Sequence, residues 1–395
     1  MAGPMSGIRV IDLGAMIAGP AAATVLCDQG ADVIKVEPTG VGDVMRYLGA
    51  TLNGVSSLYH NCNRGKRSLA LNLKSEEGVA LLKELVAGAD VVVENFRPGV
   101  TARLGIDYPS MSAVNPELVY LSVCGFGDRG PYADKAAYDN VIQNFAGVVQ
   151  SQRDRDTGEP QFYQQLFCDK VTALTGAQAI SAALLARERG SGGQHIRLSM
   201  VDSVVSFLWA DVAGTRSFEE EGAYEGIKIA GGMRLLTFKD GYGTASPVTD
   251  SQFHGYCKAF GVDSADERFA TVADRNANAS DLIDIMKSVS DRALEMNAAD
   301  AIAALEAEDV PCSVAQDLAD LPEHPQFQAN DSFGAIDNPQ AGKMCEPNNP
   351  PNFSATPSDA LRPAAQLGEH TDQVLLEIGK SAEEVAALRE AGVAA

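Results

Sequence analysis

The sequence predicts an α/β protein, with a doubly wound, largely parallel sheet in a large domain and a second, smaller α+β domain. Three observations carry this reading. Strand, helix and strand signals alternate over the first thirty-odd residues, the alternation returns before residue 130, and it breaks near residue 220 into glycine- and charge-rich sequence.

"GIRVIDLG" (7–14) alternates β-branched residues and ends in glycine, as a strand does. "AGPAAATVLCDQG" (18–30) reads as a helix, with Pro20 in its first turn and Gly30 just past its end. "ADVIKVEP" (31–38) is the next strand, apolar enough to be buried on both faces. Such a unit joins parallel strands through a crossover helix. The pattern repeats in "SLALNLK" (68–74), a serine-capped helix "SEEGVALLKELVAGA" (75–89) and "DVVVENF" (90–96). "NPELVYLSVCGFG" (115–127) adds a strand that runs into a glycine-rich loop, and ligands of open α/β sheets bind where strands end.

Beyond "FEEEGAYEGIKIAGG" (218–232), "MRLLTFKDGYGTASPV" predicts a hairpin around Asp240-Gly241. Helices follow in "DSQFHGYCKAFG" and "ASDLIDIMKSV". The expected division is a large domain over 1–220, completed by 330–395, and a small domain over 221–329. The tail from about Asn348 is proline-rich and closes with the helix "SAEEVAALREAG".

The 53 acidic residues outnumber the 31 basic ones, a formal charge of -22. That field repels phosphate backbones and anionic lipid, so neither nucleic acid nor membrane is an expected partner. Seven scattered cysteines, with no C-x-x-C pair, suit reduced thiols in a cytoplasm better than a disulfide framework or a zinc site. No apolar run reaches the roughly 18 residues of a membrane span. A cytoplasmic location and no metal site are therefore expected.

Glu37 ends the second strand where a dinucleotide fold places its ribose acid, yet "GAMIAG" lacks the G-x-G-x-x-G fingerprint. G-x-S-x-G, H-E-x-x-H and P-loop motifs are also missing, and the five histidines show no ligand spacing. Basic residues cluster after two strands: Arg64, Lys66, Arg67 and Lys74 in one group, Arg97 and Arg103 in the other. In so acidic a chain they suit either a phosphorylated ligand at the sheet edge or a solvated basic face. In "QQLFCDKVTALTGAQAISAALLARE", Asp169 heads a long alanine-rich helix. Taken alone, that carboxylate is a helix cap or a nucleophile aimed into a cleft.

Read together, "IRVIDLGAMIAGPAAATVLCDQGADVIKVEP", "GDVMR", "NRGKRSLALNLKS", "ADVVVENFRPGV", "LGIDY", "NPELVYLSVCGFGDRGPY", "AYDNVIQNFAGV", "GQHIRLSMVDSVV" and "LGEHTDQVL" resemble, in order, the blocks of the class III CoA-transferases. That group includes formyl-CoA and carnitine-type transferases and the related α-methylacyl-CoA racemases. The resemblance runs through nearly the whole chain and is weakest between about 220 and 345.

The resemblance implies an intertwined homodimer with a Rossmann-like large domain and no tightly bound cofactor, coenzyme A or acyl-CoA being a substrate. It places the nucleophile at Asp169 and a second acid at Asp139. The thioester falls beside a backbone amide at Ala18, and a glycine loop falls at Gly231-Gly232. The CoA site it implies comprises Leu71, Lys74, Asn95, Phe96 and Arg103, with Arg97 and Tyr138 beside them. Some positions depart from formyl-CoA transferase: its His and Gln fall near Ala15 and Ile17, a basic residue falls where Pro38 stands, and its four-glycine loop is reduced here to "IAGGM". These changes weaken an expectation of formyl or oxalyl specificity.

The expected reaction moves CoA from an acyl-CoA to a free carboxylic acid. Only a carboxylate nucleophile can form first an anhydride and then a thioester. The helix start is expected to keep Asp169 ionised. The racemase branch shares the fold and the aspartate but needs a base where Tyr138 stands, and a phenol of ordinary pKa near 10 is a poor one. A CoA-binding homologue without catalysis is the remaining alternative. Small dicarboxylates, carnitine-like betaines and aromatic acids all remain open as substrates.

Overall fold

A computed structural model describes residues 3–154, 157–223 and 233–395. The chain divides into two compact units, 1–209 with 328–395, and 210–327.

The first unit is built on six parallel strands: β1 (Arg9–Asp12), β2 (Asp32–Glu37), β3 (Arg67–Ala70), β4 (Val91–Glu94), β5 (Val119–Cys124) and β6 (Gln194–Ser199). Their order in the sheet is β3-β2-β1-β4-β5-β6. This is the doubly wound order of dinucleotide-binding sheets, and its topological switch lies between β1 and β4. The central strands are apolar because both faces are covered. Val10, Val91, Val93, Val119 and Leu121 pack into one core, while Ile11, Ile34, Leu69, Val92 and Tyr120 pack into the other.

Helix α1 (Ala18–Asp28) follows β1, α2 (Glu76–Ala87) follows β3, and α3 (Asp139–Phe145) and α4 (Phe167–Ala186) precede β6. The Ser75 hydroxyl accepts from Gly78 N–H and caps α2, as its sequence predicts. Small residues let α1 and α4 approach closely. A Cβ on Gly176 would lie 3.5 Å from Ala22 and 3.0 Å from Leu121, and Ala22, Ala173 and Ile180 share one core. The C-terminal segment returns to this unit, where Val374, Leu375 and Leu388 pack beneath the sheet and Ala395 N–H donates to Ala70 C=O.

In the second unit, the strand pair Leu236–Thr237 and Tyr242–Ala245 forms the hairpin expected at Asp240-Gly241, and Cys312–Val314 joins it antiparallel. Helices Asp250–Ala259, Ala279–Ala293 and Ala298–Ala307 surround a core of Phe253, Tyr256, Phe260, Phe269, Val289 and Leu305. Among the described residues no helix is long and apolar enough to cross a membrane.

Candidate active site

Two loops meet at the switch point of the sheet. The loop after β1 runs from Leu13 to Ile17, and the one after β4 begins at Asn95. The Asn95 amide ties them together: its Oδ1 accepts from Ala15 N–H at 2.8 Å and its Nδ2 donates to Ala15 C=O at 2.7 Å. Glycine is required on the first loop, because a Cβ at Gly14 would lie 2.9 Å from both Asp12 and Pro20. The loop delivers Ala18 as the first residue of α1, buried, with its N–H free of any intrahelical partner at the helix start.

Asp169 is the third residue of α4, facing that N–H, and is half-buried. Its own N–H is bonded by Asp139 Oδ2 at 3.0 Å. Leu166 at the helix N-cap offers no side-chain bond, so Asp139 supplies the cap from α3. Asp139 is buried, and its other oxygen accepts from Gln143 Nε2 at 2.6 Å. That amide nitrogen also donates to the backbone carbonyls of Tyr163 and Gln165, which anchors the segment leading into α4.

The helix start does not keep Asp169 fully ionised, contrary to the sequence expectation. Burial and the neighbouring Asp139 charge push its pKa up to about 7, and the Ala18 N–H offsets only part of the rise. Asp169 therefore titrates near neutral pH, where a helix-start aspartate would ordinarily stay charged. Two thiols lie in its field. Burial raises Cys62 to about 11 and Cys168 to about 12, and the charge of Asp169 contributes to both.

The other predicted site residues divide by surroundings. Lys74, Arg97 and Arg103 are exposed, and none of them forms an ion pair among the described residues. Phe96 is half-buried, its N–H bonded by Glu94 at 2.8 Å. Tyr138 is 62% exposed at the N-cap of α3. Leu71 is in the core at 1% exposure, backbone included, and its N–H donates to Glu37 C=O. Gly231 and Gly232 lie outside the described residues.

Three of the four residues of the first basic cluster are structural. Lys66 is buried, its Nζ bonded to Asp12, Asn63 and the carbonyls of Pro20 and Cys62. Arg64 pairs with Asp28 and Glu346, and Arg67 with Asp32 and Glu377. None of the three faces outward as a phosphate ligand. Glu37 is likewise unavailable to a ribose, since Arg46, Tyr59, Ser68 and the Asp43 N–H surround it. Burial would raise its pKa, but Arg46 and Lys35 bring it down to about 2. Sequence reading missed Lys35 and Asp43, buried under the first loop, because their contacts join segments that spacing cannot pair. Among the described residues no cluster of acids, histidines and cysteines could hold a metal ion.

The chain belongs to CoA-transferase family III: residues 5–371 match that family. The chain is 34% identical to the succinate–glutarate CoA-transferase of Agrobacterium fabrum, over 95% of this chain and 96% of that one. It is 29% identical to the formyl-CoA:oxalate CoA-transferase of Shigella sonnei, over 99% of both. A CaiB/BaiF family protein from Brucella suis superposes with a TM-score of 0.81 at 33% identity, covering 96% of this chain and all of that one. The protein is a CoA-transferase.

Proposed function

We propose that the protein moves CoA from an acyl-CoA thioester to a small free carboxylic acid through covalent intermediates on Asp169. The observation that carries this is the half-buried Asp169 carboxylate set against the Ala18 N–H. Asp169 attacks the donor thioester carbonyl, the C–S bond breaks, and a mixed anhydride and CoA thiolate form. The thiolate then attacks the Asp169 carbonyl, releasing the donor acid and leaving an aspartyl-CoA thioester. The acceptor carboxylate reverses both steps. The Ala18 N–H is a donor for the negative oxygen formed at each addition. Asp139 holds the backbone of Asp169 and tunes its charge.

The relatives act on succinate and glutarate in one case and on formyl-CoA and oxalate in another. Small dicarboxylates are accordingly the acceptor class to test first. Lys74, Arg97 and Arg103 provide unpaired charge for the CoA phosphates. Arg103→Ala is expected to raise KM for the acyl-CoA about tenfold with kcat nearly unchanged, an effect that weakens as salt rises. Steady-state kinetics at two ionic strengths check it.

A homodimer is part of this proposal. Leu174, Leu185, Phe207 and Trp209 are each at least 50% exposed on helices of the first unit, a large apolar surface for a monomer. Sedimentation equilibrium decides the state.

The activity should rise with pH through about 7, because only the ionised carboxylate attacks. Asp139→Asn keeps an acceptor for the Asp169 N–H but removes the like charge, so the acid limb of kcat/KM should move to lower pH. An unmoved limb assigns the ionisation to another group.

The direct test is mass spectrometry of the Asp169 peptide after incubation with a panel of acyl-CoAs and a hydroxylamine quench. A hydroxamate on Asp169 supports the covalent route and identifies the donor. An unmodified peptide from protein that is turning over counts against it.

A further inference from the structure

Three side chains grip three successive backbone units of the loop between β1 and α1. Lys35 Nζ donates to Gly14 C=O at 2.6 Å. Asn95 holds Ala15 by both its N–H and its C=O. Asp43 Oδ1 accepts from Met16 N–H at 3.4 Å. Lys35 and Asp43 are themselves buried and paired at 3.2 Å, with Asp12 3.8 Å from the same ammonium. Lys35 comes from β2, Asp43 from the turn beyond it and Asn95 from the end of β4, so the grip reaches across the sheet's switch point.

What they grip is a disfavoured conformation. Met16 has a φ of +63°, in the left-handed region that side chains other than glycine rarely adopt. A free loop carrying methionine there would relax toward extended or right-handed backbone. Two residues further on, the chain presents the Ala18 N–H to Asp169, so a relaxed Met16 would re-aim that donor. Glycine at position 16 would adopt this backbone freely. Methionine makes the conformation depend on the three side chains.

We propose that Lys35, Asp43 and Asn95 are positioning residues that hold Met16 left-handed and thereby fix the Ala18 N–H in place for the reacting Asp169 carbonyl. The inference rests on the reading of Asp169 given above. It assigns Asn95 an effect on the chemical step rather than on CoA affinity. It also makes Met16 the strained residue through which the clamp acts.

The test is a cycle of Asn95→Ala and Asp43→Asn, each with and without Met16→Gly, measuring kcat, KM for the acyl-CoA and thermal unfolding. Asn95→Ala should lower kcat about tenfold to a hundredfold while KM changes little. Adding Met16→Gly should recover at least roughly threefold of the lost kcat, since glycine removes the strain that the clamp opposes. Two results overturn the proposal: a Met16→Gly change that only adds to the loss, or an Asn95→Ala defect confined to KM. Should Asp43→Asn fail to fold, the uncharged, half-buried Asn95 arm carries the cycle alone. Trapping of the Asp169 hydroxamate in the unaltered enzyme separates the two readings. Absent hydroxamate refutes the covalent route, whereas hydroxamate without rescue refutes only the clamp.

Discussion

Replacing Asp169 by Asn is expected to lower CoA transfer by at least ~10⁴-fold, since an amide cannot form the anhydride and a lost nucleophile removes most of an enzyme's rate advantage. The same change should make the protein more stable at alkaline pH. Asp169 binds its proton more tightly in the folded chain, at about 7 against an ordinary 3.8. Ionising it therefore costs folding free energy, fully above pH 7 and progressively less as pH falls toward 4. Discounted for solvent at a half-buried carboxylate, the gain at pH 8 is on the order of 2 kcal/mol, a rise of a few degrees in Tm. Thermal unfolding of both proteins at pH 8 and pH 5 checks this: the gap must narrow at the lower pH. A less stable Asp169→Asn would mean that the carboxylate's contacts outweigh its burial.

The second large effect belongs to Lys66. Its ammonium is 3% exposed at the residue level and meets four acceptors, one of them the fully buried Asp12. Burial pushes Asp12 up, but Lys35 and Lys66 pull its pKa below the ordinary value. Lys66→Met removes the nearer of two ammonium partners, leaving Asp12 with Lys35 at 3.8 Å and the Gly14 N–H, and should cost about 3 kcal/mol. Asp12→Asn added to Lys66→Met should recover part of the loss, because the buried charge that Lys66 had faced is gone. Urea unfolding of the two singles and the double measures the coupling. Purely additive losses would show that Lys66 acts through its carbonyl contacts and not through Asp12.

Five strands of the sheet were legible in the sequence because their cores are apolar and β-branched, as in "RVID" and "VVVE". The sixth, "QHIRLS", was not read as a strand. It lies at the sheet edge, mostly half-buried, with polar residues at alternate positions. The resemblance pointed to Asp169 and Asp139, but the shifted ionisation of Asp169 depends on its burial and on a neighbour thirty residues away. Arg64, Lys66 and Arg67 were ambiguous for the same reason. Asp12, Asp28, Asp32, Glu346 and Glu377 reach them only through the fold. Spacing reports local periodicity and is blind to such meetings.

The cysteines near Asp169 bear on the fidelity of the proposed route. On that route an acyl group activated on Asp169 would be open to any thiolate nearby, and Cys62 and Cys168 both sit within electrostatic reach of Asp169. With pKa values of about 11 and 12, fewer than ~1 in 1,000 of either is thiolate at neutral pH. On the proposed route coenzyme A would bring its own sulfur, already ionised as it leaves the donor. The protein's own sulfurs would then stay silent, and the acyl group would be spared capture as a dead-end protein thioester.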